Sequence, residues 1–419
     1  MTAIAAIRSG IAAAIIATIA INATNAAAAP HTFFAAPGCN DPARDAITML
    51  DVPGAPFQAL PNADGCWVFV SFPATATRKP SGVGVLRRLG GKLSLERVVR
   101  VDGNPTGMVL THDGALLIVA AGPRIAFLDP TKLISGKGNA VLGYLDEPLA
   151  RIGRIYANVT ADDKFVFVAD ENALTISVID LAKARTSGFN MSSIIGKIPT
   201  GTLPIALTFS PDETLMYATS QWAPAELKWP IECKREGGRV DDPTPVNPQG
   251  AIHIIDVERA KTDPAHSIIS SVPAGCSAVR LVLSPTGDRA YVTARNSNAL
   301  LAFETSKLRS DPAHALIARI PVGTAPVGIA VIDSGRKVIV TNSNRFAGTG
   351  KDQQYLTVVD ATKLDAGAGA VFGSIAAGAF PREMRVSADG RTLFLTNFGS
   401  SSIEMIDLAR LPLEVARKH

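Results

Sequence analysis

The sequence predicts an all-β chain made of seven copies of one small sheet, and three observations carry that prediction. One pattern of turns and apolar runs recurs down the chain. Each copy holds short runs rich in Val, Ile, Leu and Phe, bounded by Gly, Pro, Asp and Asn. An orphan run near the N-terminus supplies the piece that the last copy lacks. Together they describe a seven-bladed β-propeller with four antiparallel strands per blade.

The repeat opens on a Pro turn and reaches a tight polar turn after one apolar run. The clearest copy runs Gly378-Ala379-Phe380-Pro381, Ser387-Ala388-Asp389-Gly390, Leu393-Phe394-Leu395-Thr396-Asn397 and Ile403-Glu404-Met405-Ile406-Asp407. Aligned tight turns fall at Asp64, Asp113, Asp162, Asp212, Thr286, Ser334 and Asp389, with gaps of 49, 49, 50, 74, 48 and 55 residues. The long gap marks an insertion over residues 221–249 in blade four, which carries Trp222 and Trp229. Asp-Gly and its variants suit a hairpin between the first two strands. No stretch beyond the leader sustains a helical period.

The last copy supplies three strands before the chain ends. The segment 46–52 has the pattern of a fourth strand and directly precedes the first Pro turn. It is expected to close blade seven as its outer strand. A closed ring removes most open sheet edges.

Residues 1–29 read as a signal peptide, leaving 30–419 as one propeller domain. Arg8 precedes an apolar run from Ile11 to Ile21, and small residues follow at 25–29. That run is short for a bilayer, and no later one is long enough. The expected location is periplasmic or secreted. The chain carries 41 basic and 37 acidic residues without a Lys/Arg block, which argues against a nucleic-acid partner.

The pieces Val322-Gly323-Thr324-Ala325-Pro326, Ser210-Pro211-Asp212, Val340-Thr341-Asn342 and Val178-Ile179-Asp180 resemble YVTN-type β-propeller repeats, which shade into the seven-bladed lactonase-like proteins. The likeness covers nearly all of the chain beyond the leader. It implies the propeller fold and an activity on small lactone or acidic substrates.

Four cysteines, Cys39, Cys66, Cys233 and Cys276, lie beyond the leader, and an even count in an exported chain favours disulfides. In a four-stranded blade the first and third turns share one face. Cys39 and Cys66 fall on that face, and Cys233 and Cys276 on the other. Of the three connectivities, only Cys39–Cys66 with Cys233–Cys276 keeps each pair on one face.

By fold analogy, ligands sit on the face of the longer connections, near the channel. Two residues after each Pro turn the blades read Gln58, Gly107, Tyr156, Ala206, Arg280, Gly328 and Glu383. The small members suggest a pocket floor, and Arg280 with Glu383 suggests either a structural ion pair or an oxyanion holder with its acid–base partner. Asp170, Arg295, Asn342, Arg345 and Asn397 end second strands toward the same face, and Arg154 and Arg382 add positive charge. That set suits a small anionic or carboxylated ligand. The histidines show no zinc-ligand spacing, and no phosphate loop, Gly-Xaa-Ser-Xaa-Gly or CxxCH motif occurs. No metal or cofactor is therefore expected. The reading is an exported binding propeller for a small acidic molecule or a protein partner. The alternatives are a lactonase-like hydrolase or isomerase using Arg280 and Glu383, and an envelope interaction scaffold.

Overall fold

A computed structural model describes residues 37–75, 81–147, 153–200, 202–224, 227, 233, 248–345 and 354–411. The expected leader and Trp229 lie outside the described residues. Seven four-stranded antiparallel sheets form the blades of a β-propeller. The innermost strands are Gln58–Pro61, Pro105–Leu110, Arg154–Val159, Thr202–Phe209, Ala278–Leu283, Pro326–Ile332 and Pro381–Val386. Pro begins three of them, the position where a missing N–H costs no ladder bond. The second and third strands are buried on both faces, and so read as unbroken apolar runs such as Leu117–Ala121. Outer strands alternate, as in Val141–Asp146, because one side meets solvent.

Ring closure follows the sequence pattern. β1 (Ile47–Asp51) pairs antiparallel with Ser402–Asp407, in register from Ile47 opposite Ile406 to Asp51 opposite Ser402. Two backbone bonds extend the zipper, Asp407 N–H to Ala46 O at 2.9 Å and Val52 N–H to Ser401 O at 2.8 Å. Val68, Val70 and Phe72 of blade one pack against Phe394, Ile403 and Met405 of blade seven in a shared core.

The blades are also joined near the axis by hydroxyl groups. Each inner strand from blade two onward carries a register shift close to its start. At these irregular points in blades four to seven, and at Gln58 in the regularly paired blade one, a Ser or Thr of the second strand accepts a backbone N–H. Thr293 Oγ1 accepts Arg280 N–H at 3.1 Å and donates to Val327 O of the next blade at 2.9 Å. Ser71, Thr219, Thr341 and Thr396 repeat this bridge. Ala120 and Ala169 stand at the matching place in blades two and three. There Thr106 Oγ1 reaches Arg154 O instead, at 3.3 Å.

The recurring Ile-Asp at the end of third strands has a second job. Short helices follow it, including α1 (Pro130–Ser135), α2 (Leu181–Ser187) and α3 (Val257–Ala260). Asp129, Asp180 and Asp256 cap their N-termini by accepting backbone N–H groups. These helices span only one or two turns, too little for a 3.6-residue period to register in the sequence.

Disulfides join Cys39 to Cys66 and Cys233 to Cys276. The first ties the segment before β1 to the blade-one hairpin. The second ties the insertion to the connection that enters blade five. The insertion is bracketed by strand, since Leu215–Trp222 and Gln249–Asp256 run into both ends of it. No helix among the described residues is long and apolar enough to cross a membrane.

Candidate functional site

A cavity of about 300 Å³ opens at the mouth of the channel, on the face opposite the tight hairpins. Four arginines line it: Arg280 and Arg295 from blade five, Arg345 from blade six and Arg382 from blade seven. Glu171 is the one carboxylate among the described residues of its wall, and it accepts a hydrogen bond from Gln221 Nε2 at 2.8 Å. Apolar residues also line it, among them Ile155, Ile205, Val279 and Val327.

Each arginine is held in a different way. The Arg280 guanidinium donates from Nε to Glu383 Oε2 at 2.9 Å and lies 4.6 Å from the Tyr156 ring centre. Its Nη1 is buried without a hydrogen-bond partner. Arg382 lies over Phe57 at 3.9 Å, with Phe380 and Phe398 also against it, and its Nε is likewise buried and unpartnered. Arg345 lies 5.5 Å from the Phe380 ring centre. Burial, with repulsion from Arg280 and Arg345, lowers the Arg382 pKa to about 9. Burial, with repulsion from Arg345, lowers that of Arg295 to about 10. At neutral pH both remain cationic. A cluster of like charges that depresses its own pKa values is relieved by a bound anion.

Glu383 sits just below the cavity and is fully engaged. Its Oε1 accepts the Tyr156 hydroxyl at 3.0 Å and lies 3.4 Å from Arg385 Nη1, while Oε2 holds Arg280. Only 3% of its side chain is exposed, so neither oxygen faces open solvent.

Of the residues singled out from the sequence, Arg280, Arg295, Arg345 and Arg382 share the cavity, with Tyr156 and Glu383 beneath them. The others have structural partners elsewhere. Arg154 is bound to Glu147 at 2.6 Å, and Lys197 meets the same carboxylate at 2.9 Å. Asp170 Oδ1 accepts Gly153 N–H and Ala173 N–H, closing a turn. Asn342 donates to Tyr355 O and Thr357 Oγ1, and Asn397 to Ser402 Oγ and Glu404 Oε1. Gln58 Oε1 accepts Met108 N–H across a blade boundary.

The glycines of the inner ring are not a pocket floor. A Cβ on Gly107 would lie 2.6 Å from Ile155 O, and one on Gly328 would lie 2.5 Å from Arg382 O. They are small because neighbouring blades approach closely there. The sequence reading missed Glu171, Gln221, Arg385 and the apolar wall. The wall did leave a signal: Ile155, Ile205, Val279 and Val327 all directly precede the ring position in the repeat. Left-handed, non-glycine residues also cluster on this face, with Leu203, Ser277, Ala325 and Phe380 each within one residue of an inner strand's start at φ between 51° and 56°. Such backbone is costly and persists where surrounding structure fixes it.

Fold and site together define a β-propeller with a cationic cavity at its channel mouth. Among solved structures the chain is similar to hydrazine synthase of Kuenenia stuttgartiensis, at 17% identity and a TM-score of 0.61, over 86% of this chain and 97% of that one. It is also similar to the Cps50 (Swd1) β-propeller domain of Myceliophteria thermophila, at 12% identity and a TM-score of 0.59, over 85% and 97%. These likenesses show the fold. No family model and no curated protein matches the sequence.

Proposed function

We propose that this propeller is an exported binding protein that holds a small anionic ligand at the channel mouth, without bond-breaking chemistry of its own. The observation that carries the reading is the set of four guanidiniums around one cavity, with Glu171 as the one carboxylate among its described lining residues. A bound carboxylate supplies the negative charge that this lining lacks. The engagement of Glu383 supports binding over catalysis, since a general base needs a free oxygen in reach of substrate. Two disulfides and the leader pattern support an oxidising compartment.

The hydrolase reading keeps one observation in its favour, the adjacency of Arg280 and Glu383 beneath the cavity. Thermal unfolding with a carboxylate panel tests both. Anions raise Tm, by about 2.7 kcal/mol of stability at a hundred times Kd, and neutral analogues do not. Arg345→Ala weakens the effect. Failure of every anion to stabilise the protein overturns the proposal. Lactone turnover that disappears in Glu383→Gln establishes the hydrolase instead.

A further inference from the structure

Resting on that reading, we propose that the ligand is a multiply charged anion, a short carbon skeleton with two or three separate carboxylates that spans the arginines of blades five, six and seven. The charge of the lining points to it. Among its described residues, four arginines against one glutamate leave three positive charges in excess. Counting Glu383 beneath the cavity does not alter the balance, because Arg385 lies 3.4 Å from it and adds a charge of its own. A monocarboxylate would leave two of those charges unanswered in a partly enclosed space, where cations repel more strongly than in bulk water. A ligand of charge two or three answers them.

The groups that carry this charge are open to a ligand. Arg345 is exposed, and Arg295, Arg382 and Glu171 are half-buried. Arg280 is almost fully enclosed and contributes its charge without a contact. Ile155 and Leu203, also half-buried, leave apolar surface for a few carbons. The cations are spread around the space: they start from three blades, and aromatic rings hold two of them. Phe380 lies 5.5 Å from the guanidiniums of both Arg345 and Arg382, and Phe57 lies 3.9 Å from Arg382. Groups held in this way lose less freedom on binding. A compact anion puts its charge at one point, whereas carboxylates on separate atoms reach cations on separate blades. A volume of about 300 Å³ is at the small end for ligand sites and limits the skeleton to a few carbons. Glu171 acts as a built-in counter-charge. Burial lowers the pKa of Arg295, Arg345 and Arg382, and Glu171 opposes that fall at each of them. It therefore competes with the last anionic group of the ligand for the same three cations.

Calorimetric titration of the purified protein at pH 7 and fixed ionic strength tests this, with propionate, succinate, propane-1,2,3-tricarboxylate and inorganic phosphate as probes. Succinate is expected to bind about tenfold more tightly than propionate, beyond the twofold that two equivalent carboxylates give by statistics alone, because a second charge-assisted contact forms. Raising the salt concentration weakens the di- and tricarboxylate more than the monocarboxylate. Glu171→Gln tightens succinate and the tricarboxylate by about threefold or more and propionate by less, with folding checked by circular dichroism. Propionate binding within about twofold of both polycarboxylates overturns the inference and leaves the anion-binding reading intact. Phosphate binding more tightly than either polycarboxylate also overturns it, because the site then takes a compact anion. A folded Glu171→Gln variant that binds the tricarboxylate more weakly than wild type overturns the counter-charge role on which the inference leans. No binding by any of the four probes removes the underlying reading as well.

Discussion

Glu383 takes three partners on two oxygens, and that fixes its role more firmly than its position in the ring does. Removing Arg280 would leave it buried with one strong partner fewer, a change that costs about 3–5 kcal/mol for a buried pair. The polar residues at second-strand ends were legible as a group and not as individuals. Arg295 and Arg345 reach the cavity, whereas Asp170, Asn342 and Asn397 fold back onto their own turns. Side-chain length decides this: an Asp or Asn finds backbone and side-chain partners within its own blade, and an arginine extends past them. His253 shows a residue whose context the sequence hid. It lies inside a strand between Ser220 and Ser271, hydrogen-bonded to both hydroxyls, and burial lowers its pKa to about 4. The unfolded imidazole takes its proton near pH 6.5, so the folded state binds fewer protons between about 4 and 6.5. Stability is full above pH 6.5 and falls by up to about 3 kcal/mol as pH drops toward 4. Denaturant unfolding at stepped pH should show this slope, and His253→Gln should flatten it. An unchanged slope in the variant assigns the acid sensitivity elsewhere.

At the scale of elements, strand order and the outer position of β1 followed from the repeat alone, because hydrophobic runs and Pro turns mark every strand. The hydroxyl bridges did not. Ser71, Thr219, Thr293, Thr341 and Thr396 recur at matching places, but a small polar residue inside an apolar run reads as neutral packing. Their role appears only with the inner-strand geometry, irregular in blades four to seven, which leaves an N–H for the hydroxyl to accept, and with the next blade's carbonyl, which accepts the hydroxyl's hydrogen bond. Thr293→Val keeps the shape and removes both bonds. It is expected to cost about 1–3 kcal/mol in denaturant midpoints, since a buried N–H and a carbonyl lose their partner. Thr293→Ser should retain most of that stability. Equal losses in the two variants would mean that the methyl group, and not the bridge, holds the blades together.

At the scale of the whole molecule, the candidate site lies where the seven-fold repeat is broken. The blades share strands, turns and hairpins, and those shared features are what a single sequence displays. The cavity is asymmetric: blades three to six supply the apolar wall, and blades five to seven supply the arginines. No window of the sequence contains both, since Ile155 and Arg382 meet only because β1 closes the circle. A crystal structure of the protein with a small carboxylate at saturating concentration tests this account most directly. The account predicts the anion inside the cavity lined by Arg280, Arg295, Arg345 and Arg382. Ligand found on the hairpin face, or a channel mouth holding only solvent at saturation, would contradict it.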